Sequence, residues 1–315
     1  MRSQIRIWFC DFWPYFDPGN NYFINLFKKH YDVILDDSNP EFLFFSVFGF
    51  KHLNYFNAVR IQYIAENLRP NYWEADFSLS FDFEEYSDRN FRLPLYIMYG
   101  SIANLLEKQN DFTESDLKPN FCNLISSNPN ANFRNNFFKL LNSQKHVDSG
   151  GVYLNNIGFP VQNKLQFIKD YRFTISFENS SFPGYTTEKI YEAMTSGSIP
   201  IYWGNERIGE EFNTKSFINV HEYKNMHDVV EHVLELENNP TMFSNLLLQP
   251  WVLPTIHKNY FEEERVLNYF DNYVFKKKKY VSELSQNKRK IAAHFSVIRK
   301  RVYSKILGKS YCAIQ

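Results

Sequence analysis

Cysteine is scarce in this chain. Its 315 residues hold three, Cys10, Cys122 and Cys312, far apart and without a Cys-x-x-Cys pair. Neither a disulfide framework nor a thiolate zinc site is therefore expected, and a reducing compartment fits best. The eight histidines show no ligand spacing, and His221, His227 and His232 are expected to be ordinary surface or partly packed residues. Acidic pairs stand at Asp36-Asp37 and Glu84-Glu85, with Asp82 two positions before the second. No Asp-x-Asp occurs, the pattern that commonly holds a divalent ion on a diphosphate. A long apolar leader is also missing: Met1-Arg-Ser-Gln runs into Ile5-Arg-Ile-Trp-Phe9, too brief for a signal peptide or a membrane span, so export is not expected. No internal repeat is evident, and Lys276–Lys279 is the single low-complexity run.

What is present describes a globular chain. Apolar residues make up 44% and charged residues 22%, enough apolar surface to offset the entropy of ordering. At roughly 150 residues per domain the length allows two lobes. Aromatics reach 18%; most are expected to fill the core, a few to offer stacking faces for sugars. The 35 basic and 35 acidic residues cancel overall, but between Lys276 and Lys309 twelve Lys or Arg face one acid, Glu283, which leaves 23 basic against 34 acidic residues elsewhere. That basic end is a separate electrostatic object.

Short apolar runs alternate with amphipathic stretches, an α/β layout. Ile5–Phe9, Phe42–Val47, Arg60–Ile64 and Asp76–Ser80 predict strands, and Asn20–His30 predicts a helix with Phe23, Leu26 and Phe27 on one face. A second α/β unit begins near Lys118, with a strand over Phe121–Ile125, a polar turn over Ser126–Asn130 and a helix over Arg134–Leu141. Phe173–Phe177 and Ser198–Trp203 then read as strands joined through a helix that Thr187 can cap, with Ile190, Ala193 and Met194 buried and Gly197 at its C-terminus. The expected division is an N-terminal lobe over 1–112, a second lobe over 113–268 and a basic amphipathic tail over 269–315.

The densest polar cluster is Phe177-Glu-Asn-Ser-Ser-Phe-Pro-Gly-Tyr-Thr-Thr-Glu-Lys189. It sets polar side chains, a glycine turn and a lysine around a strand's open end and a helix N-terminus, where free N–H groups and an ammonium suit a phosphate. Glu188 opposes that charge and is better suited to accept hydroxyl hydrogen bonds from a sugar or ribose. From the residues alone, an ordinary capped helix with a surface Glu-Lys pair is an equal alternative.

Tyr171–Tyr223, with Phe-Glu-Asn-Ser, Gly-Tyr, Thr-Glu-Lys, Ile-Pro-Ile-Tyr-Trp-Gly204 and Lys215-Ser-Phe-Ile-Asn-Val-His221, resembles the donor-binding signature of glycosyltransferase family 10, the α-1,3/4-fucosyltransferases of bacterial type. Ser127-Asn-Pro-Asn-Ala-Asn-Phe-Arg134 resembles the family's Ser-Asn segment ending in an arginine. Tyr63-Ile-Ala-Glu-Asn67, Asp82 and Asp88–Pro94 are similar to the first lobe of the bacterial members. Two departures stand out: Ser181-Phe-Pro183 differs from several relatives, and Ala65 stands where bacterial relatives have glycine.

The resemblance implies a GT-B fold of two Rossmann-like lobes facing across a cleft, the first for the acceptor and the second for GDP-fucose, and transfer with inversion. It implies Glu66 as the base that takes the acceptor hydroxyl's proton, and Arg134 and Lys189 as the cations that stabilise the departing diphosphate. It implies Ser127, Asn128, Asn179, Tyr185 and Glu188 as donor contacts. No cofactor or metal is expected to be required, although a divalent ion that stimulates is compatible. The expected partners are GDP-fucose and an oligosaccharide containing N-acetylglucosamine, of Lewis type or on a lipopolysaccharide or other surface polysaccharide. Alternatives are a same-fold transferase using another sugar nucleotide and a catalytically silent glycan-binding homologue.

Ile291, Phe295, Ile298, Val302 and Ile306 form one apolar stripe flanked by cations, which suits an anionic membrane surface through the 276–309 segment. Docking on the chain's own acidic body is the alternative, and no groove-reading motif points to nucleic acid. The expected location is cytoplasmic, peripheral on the inner membrane of a bacterium.

Overall fold

The computed structural model describes residues 2–83, 88–107, 117–253, 261–276, 279–281, 287–288 and 291. Their contacts divide them into two compact units. One comprises the described residues of Met1–Ser80, Glu84–Arg92 and Val266–Gln315, the other those of Phe81–Phe83 and Leu93–Arg265.

In the first unit β1 (Gln4–Cys10), α1 (Tyr22–Phe27), β2 (Asp32–Leu35), β3 (Phe42–Phe45), β4 (Val59–Tyr63), β5 (Phe77–Ser80) and β6 (Asn90–Arg92) follow in order. The strands form an all-parallel sheet ordered β2-β1-β3-β4-β5-β6. Strands β3, β4 and β5 are buried at every position, which explains why Phe42–Phe45 is an unbroken apolar run: a parallel strand covered on both faces has no solvent side to mark with polar residues. Helix α1 is shorter than its periodicity predicted: it starts after Asn21, which caps it by accepting from the Ile24 N–H at 3.1 Å, and it ends at Phe27.

The second unit contains α2 (Leu95–Tyr99), α3 (Ile102–Leu106), β7 (Asn120–Leu124), α4 (Asn132–Gln144), β8 (Asp148–Ser149), α5 (Lys164–Ile168), β9 (Tyr171–Phe177), α6 (Glu188–Thr195), β10 (Ile199–Trp203), β11 (Ile218–Asn219), α7 (Met226–Asn238) and α8 (Pro240–Leu247). Its parallel sheet runs β11-β10-β9-β7-β8. Phe137, Phe173, Phe177, Ile199, Ile201 and Val233 are among its core residues. The predicted β9-α6-β10 unit is present, with Phe173 opposite Ile199 and Phe177 opposite Trp203. Helix α6 buries Ile190, Tyr191, Ala193 and Met194. It closes at Gly197, whose φ of +67° is left-handed and whose N–H donates to Met194 O at 2.9 Å.

Helix α9 (Glu263–Tyr269) and the π-helical turn Phe270–Val274 carry the chain back to the first unit. There the Phe270 ring lies 4.8 Å from Phe27 and 5.8 Å from Phe44, and Tyr280 and Val281 donate backbone N–H bonds to Asp76. Two expected boundaries therefore move. Residues 93–107 already belong to the second unit, so the change of unit precedes 112/113, and the described residues of 269–281 belong to the first unit, with Tyr269, Phe270, Val274 and Val281 buried in it, rather than starting a tail. Of the apolar stripe only Ile291 is described, and it is exposed; Phe295, Ile298, Val302 and Ile306 lie outside the described residues. Among the described residues no helix is long and apolar enough to cross a membrane.

Candidate functional site

In the second sheet the chain runs from β7 outward to β8, then returns to β9 and runs outward the other way through β10 to β11. The order reverses between β7 and β9. Loops leaving the carboxyl ends of such a strand pair diverge and open a crevice, the usual ligand position in an open parallel sheet. The predicted donor residues of this unit lie on these loops and on the helices that follow them.

From the β7 side, α4 supplies Arg134, which is 3% exposed. Its guanidinium donates to Asn179 Oδ1 at 3.1 Å, to the Asn128 carbonyl at 3.1 Å and to the Phe177 carbonyl at 3.5 Å. One arginine thus ties the loop after β7 to the loop after β9, and its Nε is left without a partner. Burial lowers the Arg134 pKa from the ordinary arginine value, against the pull of the Glu178 carboxylate. Asn128 also accepts the Asn130 N–H at 2.9 Å, which fixes the turn, while Ser127 is exposed.

From the β9 side comes Glu178, fully buried and not singled out in the sequence. Its carboxylate accepts the Thr187 N–H at 2.7 Å, the Thr187 hydroxyl at 2.7 Å and the Lys189 ammonium at 2.9 Å. Thr187 precedes α6 as predicted, but its hydroxyl turns to Glu178 and makes no cap bond within the helix. Lys189 is correspondingly paired: its ammonium donates to Thr187 Oγ1 at 2.7 Å as well. Burial opposes the charge on Lys189, but the carboxylates of Glu178 and then Glu188 outweigh it and raise the pKa. Glu188 lies 3.7 Å from Lys164 and 3.9 Å from Lys189. These cations hold its carboxyl below the usual range even though burial pushes the other way.

Gly204, at the end of β10, is required by close approach, since a Cβ there would sit 2.4 Å from Glu178 Cγ. Tyr185 is buried, its ring 4.8 Å from Phe81; it forms wall rather than open surface. Beside them His221 accepts the Gly204 N–H at 3.4 Å and stacks on Trp203, and burial lowers its pKa. His232, half-buried, lies 3.8 Å from Glu235.

Arg134, Asn128, Asn179, Tyr185, Glu188 and Lys189 thus come together in the second unit. Glu66 belongs to the first. It is partly buried in the turn after β4, where its carbonyl accepts the Leu68 N–H at 2.6 Å. That unit also holds a buried pair absent from the sequence-based expectations. The imidazole of His52 bonds Asp11 at 2.8 Å and faces Glu74 at 3.4 Å, stacked on Phe45. A histidine in the single 3-10 turn Lys51–Asn54 has no periodic signal that could have marked it. Among the described residues no group of three or more His, Cys, Asp or Glu is placed to hold a metal ion.

Residues 7–99 match the family model of the alpha-(1,3)-fucosyltransferase FucT N-terminal domain, and residues 116–252 that of the glycosyltransferase family 10 (fucosyltransferase) C-terminal region. The chain belongs to glycosyltransferase family 10. It is 35% identical over 233 residues to alpha-(1,3)-fucosyltransferase FucT of Helicobacter pylori, covering 63% of this chain and 48% of that protein. To alpha-(1,3)-fucosyltransferase B of Drosophila melanogaster it is 28% identical over 193 residues, covering 54% and 43%. The chain therefore spans about half the length or less of these curated relatives. A crystal structure of an alpha1,3-fucosyltransferase with GDP-fucose superposes with a TM-score of 0.76 at 26% identity, covering 90% of this chain and 94% of that one. The same kind of enzyme with GDP gives 0.73 at 27% identity, covering 86% and 90%. The fold is accordingly α/β of the GT-B class, as expected.

Proposed function

We propose that this family 10 chain transfers L-fucose from GDP-β-L-fucose to a hydroxyl of an oligosaccharide containing N-acetylglucosamine, through O3 or O4, in one inverting displacement. The observation that carries the reading is the Arg134–Asn179 and Glu178–Lys189 constellation at the reversal between β7 and β9, in a fold that matches an alpha1,3-fucosyltransferase crystallised with GDP-fucose.

The residues divide the work as follows. Arg134 and Lys189 offset the negative charge that grows on the diphosphate as the C–O bond breaks, charge that is larger in the transition state than in the bound donor. Both are held in place by hydrogen bonds within the chain, so little reorganisation is needed at reaction. Asn179 and Glu188 accept or donate to sugar and ribose hydroxyls, Ser127 and Asn128 line the diphosphate side, and Tyr185 packs as the wall behind them. Glu66 takes the proton of the attacking hydroxyl. With two cations for the leaving group, no metal or cofactor is required, and a divalent ion would at most stimulate.

The basic segment 276–309 supports a peripheral position on an anionic leaflet, on the cytoplasmic side of a bacterial inner membrane, with surface polysaccharide or lipopolysaccharide as the setting. To test the donor assignment, nucleotide release is measured with GDP-fucose, GDP-mannose and UDP-sugars. Release from GDP-fucose alone is expected. Equal or faster release from another sugar nucleotide overturns it.

A further inference from the structure

The loop that leads into Lys189 is anchored a second time, by a buried network with no assigned role. Glu211 follows the 3-10 turn Ile208–Glu210 and is 1% exposed. Its Oε1 accepts the Thr186 hydroxyl at 2.8 Å and the Asn205 amide at 2.6 Å, and its Oε2 accepts the Tyr96 hydroxyl at 2.6 Å. Asn205, fully buried, accepts with Oδ1 the Gly184 N–H at 2.6 Å and the Arg207 N–H at 2.9 Å, and its own backbone N–H donates to the Tyr202 hydroxyl oxygen at 3.0 Å. Gly184 has a φ of +90°, so the chain turns there in a left-handed conformation that glycine tolerates. Successive residues are thereby fixed by separate partners: Gly184 by Asn205, Thr186 by Glu211, Thr187 and Lys189 by Glu178.

The geometry points to Glu211, Asn205 and Tyr96 as positioning residues that hold the 184–189 segment in its nucleotide-binding form, so that the α2 hydroxyl of Tyr96 governs ligand affinity through Glu211 without touching the ligand. A carboxylate that satisfies donors from three segments at once locks all three, because losing one donor leaves a buried acceptor short and loosens the others. This inference rests on the donor-site reading above.

Tyr96→Phe is the sharpest test, since it removes one hydroxyl and keeps the ring against Phe212 at 5.2 Å. GDP is titrated calorimetrically into the full chain, into Tyr96→Phe, into Lys189→Ala and into the double variant, with folding checked by near-UV circular dichroism. Tyr96→Phe is expected to weaken GDP about three- to tenfold, the value of one buried hydrogen bond expressed as an affinity ratio. In the Lys189→Ala background the same change is expected to cost less than about twofold, because the group being positioned is gone. Glu211→Gln, if it folds, weakens GDP at least as much as Tyr96→Phe. Unchanged affinity in folded Tyr96→Phe, or a full-size loss that persists without Lys189, overturns the inference. If the parent chain binds UDP and not GDP, the donor assignment fails instead, and the same cycle run with UDP still decides the positioning role.

Discussion

Glu178→Gln isolates the clamp beneath Lys189. The substitution keeps the side-chain volume and removes one charge. In the parent, one carboxylate oxygen accepts the Thr187 N–H at 2.7 Å and the other accepts the Lys189 ammonium at 2.9 Å, with the Thr187 hydroxyl between them. A glutamine has one acceptor oxygen, so its amide NH2 must face either the Thr187 N–H or the ammonium, donor against donor. A buried donor left unpaired costs about 1–3 kcal/mol. The lost ion pair adds less than a fully buried one would, because the Lys189 side chain is 23% exposed and can turn to water. A total of about 2–3 kcal/mol follows, which at a urea slope of roughly 2 kcal/mol per molar lowers the unfolding midpoint by about 1 M. Trp203 and Trp251 lie in the same unit and report it by fluorescence. Glu210→Gln is the control: its partner Arg207 is 2.6 Å away, but both side chains are more than a third exposed, and such pairs are worth roughly 0–1 kcal/mol. If the two variants unfold at the same urea concentration, the buried clamp carries no stability and the argument from burial is wrong.

Other changes have equally definite outcomes. Arg134→Lys removes the two-pronged contact that bridges Asn128 and Asn179, so kcat/KM with GDP-fucose is expected to fall at least about tenfold in steady-state assays. Gly204→Ala brings a Cβ to 2.4 Å from Glu178 Cγ and 2.9 Å from the Tyr202 hydroxyl; weaker GDP binding and a lower melting temperature are expected together, measured by calorimetry and thermal melts. Burial lowers the Lys118 pKa to about 8. Between pH 8 and the ordinary lysine value the unfolded chain binds a proton that the folded chain has lost, so this group's contribution makes stability rise with pH across that window. Lys118→Met is expected to remove the rise, read as the difference in urea midpoint between the two proteins from pH 7.5 to 10.

Much of the second unit was legible because its patterns are local. Phe173, Ile175 and Phe177 alternate as a strand does, Ile190, Ala193 and Met194 share one helical face, and Gly197 marks the stop; each signal lies within a few residues of its neighbours. Glu178 was not legible in the same way. A single carboxylate at a strand end carries no period, and its function depends on Thr187 and Lys189, nine and eleven positions later, folding back onto it. Glu211 lies further still, 25 residues from Thr186 and 115 from Tyr96. The return of Phe270 to the first sheet escaped for a related reason: an apolar helical face states that something covers it, not which sheet does. The basic charge that follows made the whole stretch look like a tail, although the apolar residues before it were already core.

In the proposed reaction fucose leaves GDP in the second unit and is received by a hydroxyl whose proton goes to Glu66. Incubation of the protein with GDP-fucose and lactosamine-type acceptors, followed by NMR of the isolated product, tests this most directly. The expected spectrum has a new α-fucosyl anomeric signal correlated to O3 or O4 of the glucosamine. With Glu66→Gln that signal grows at least about a hundredfold more slowly while GDP binds as before. A β-linked product, no transfer at all, or a Glu66→Gln variant as fast as the parent would contradict this reaction.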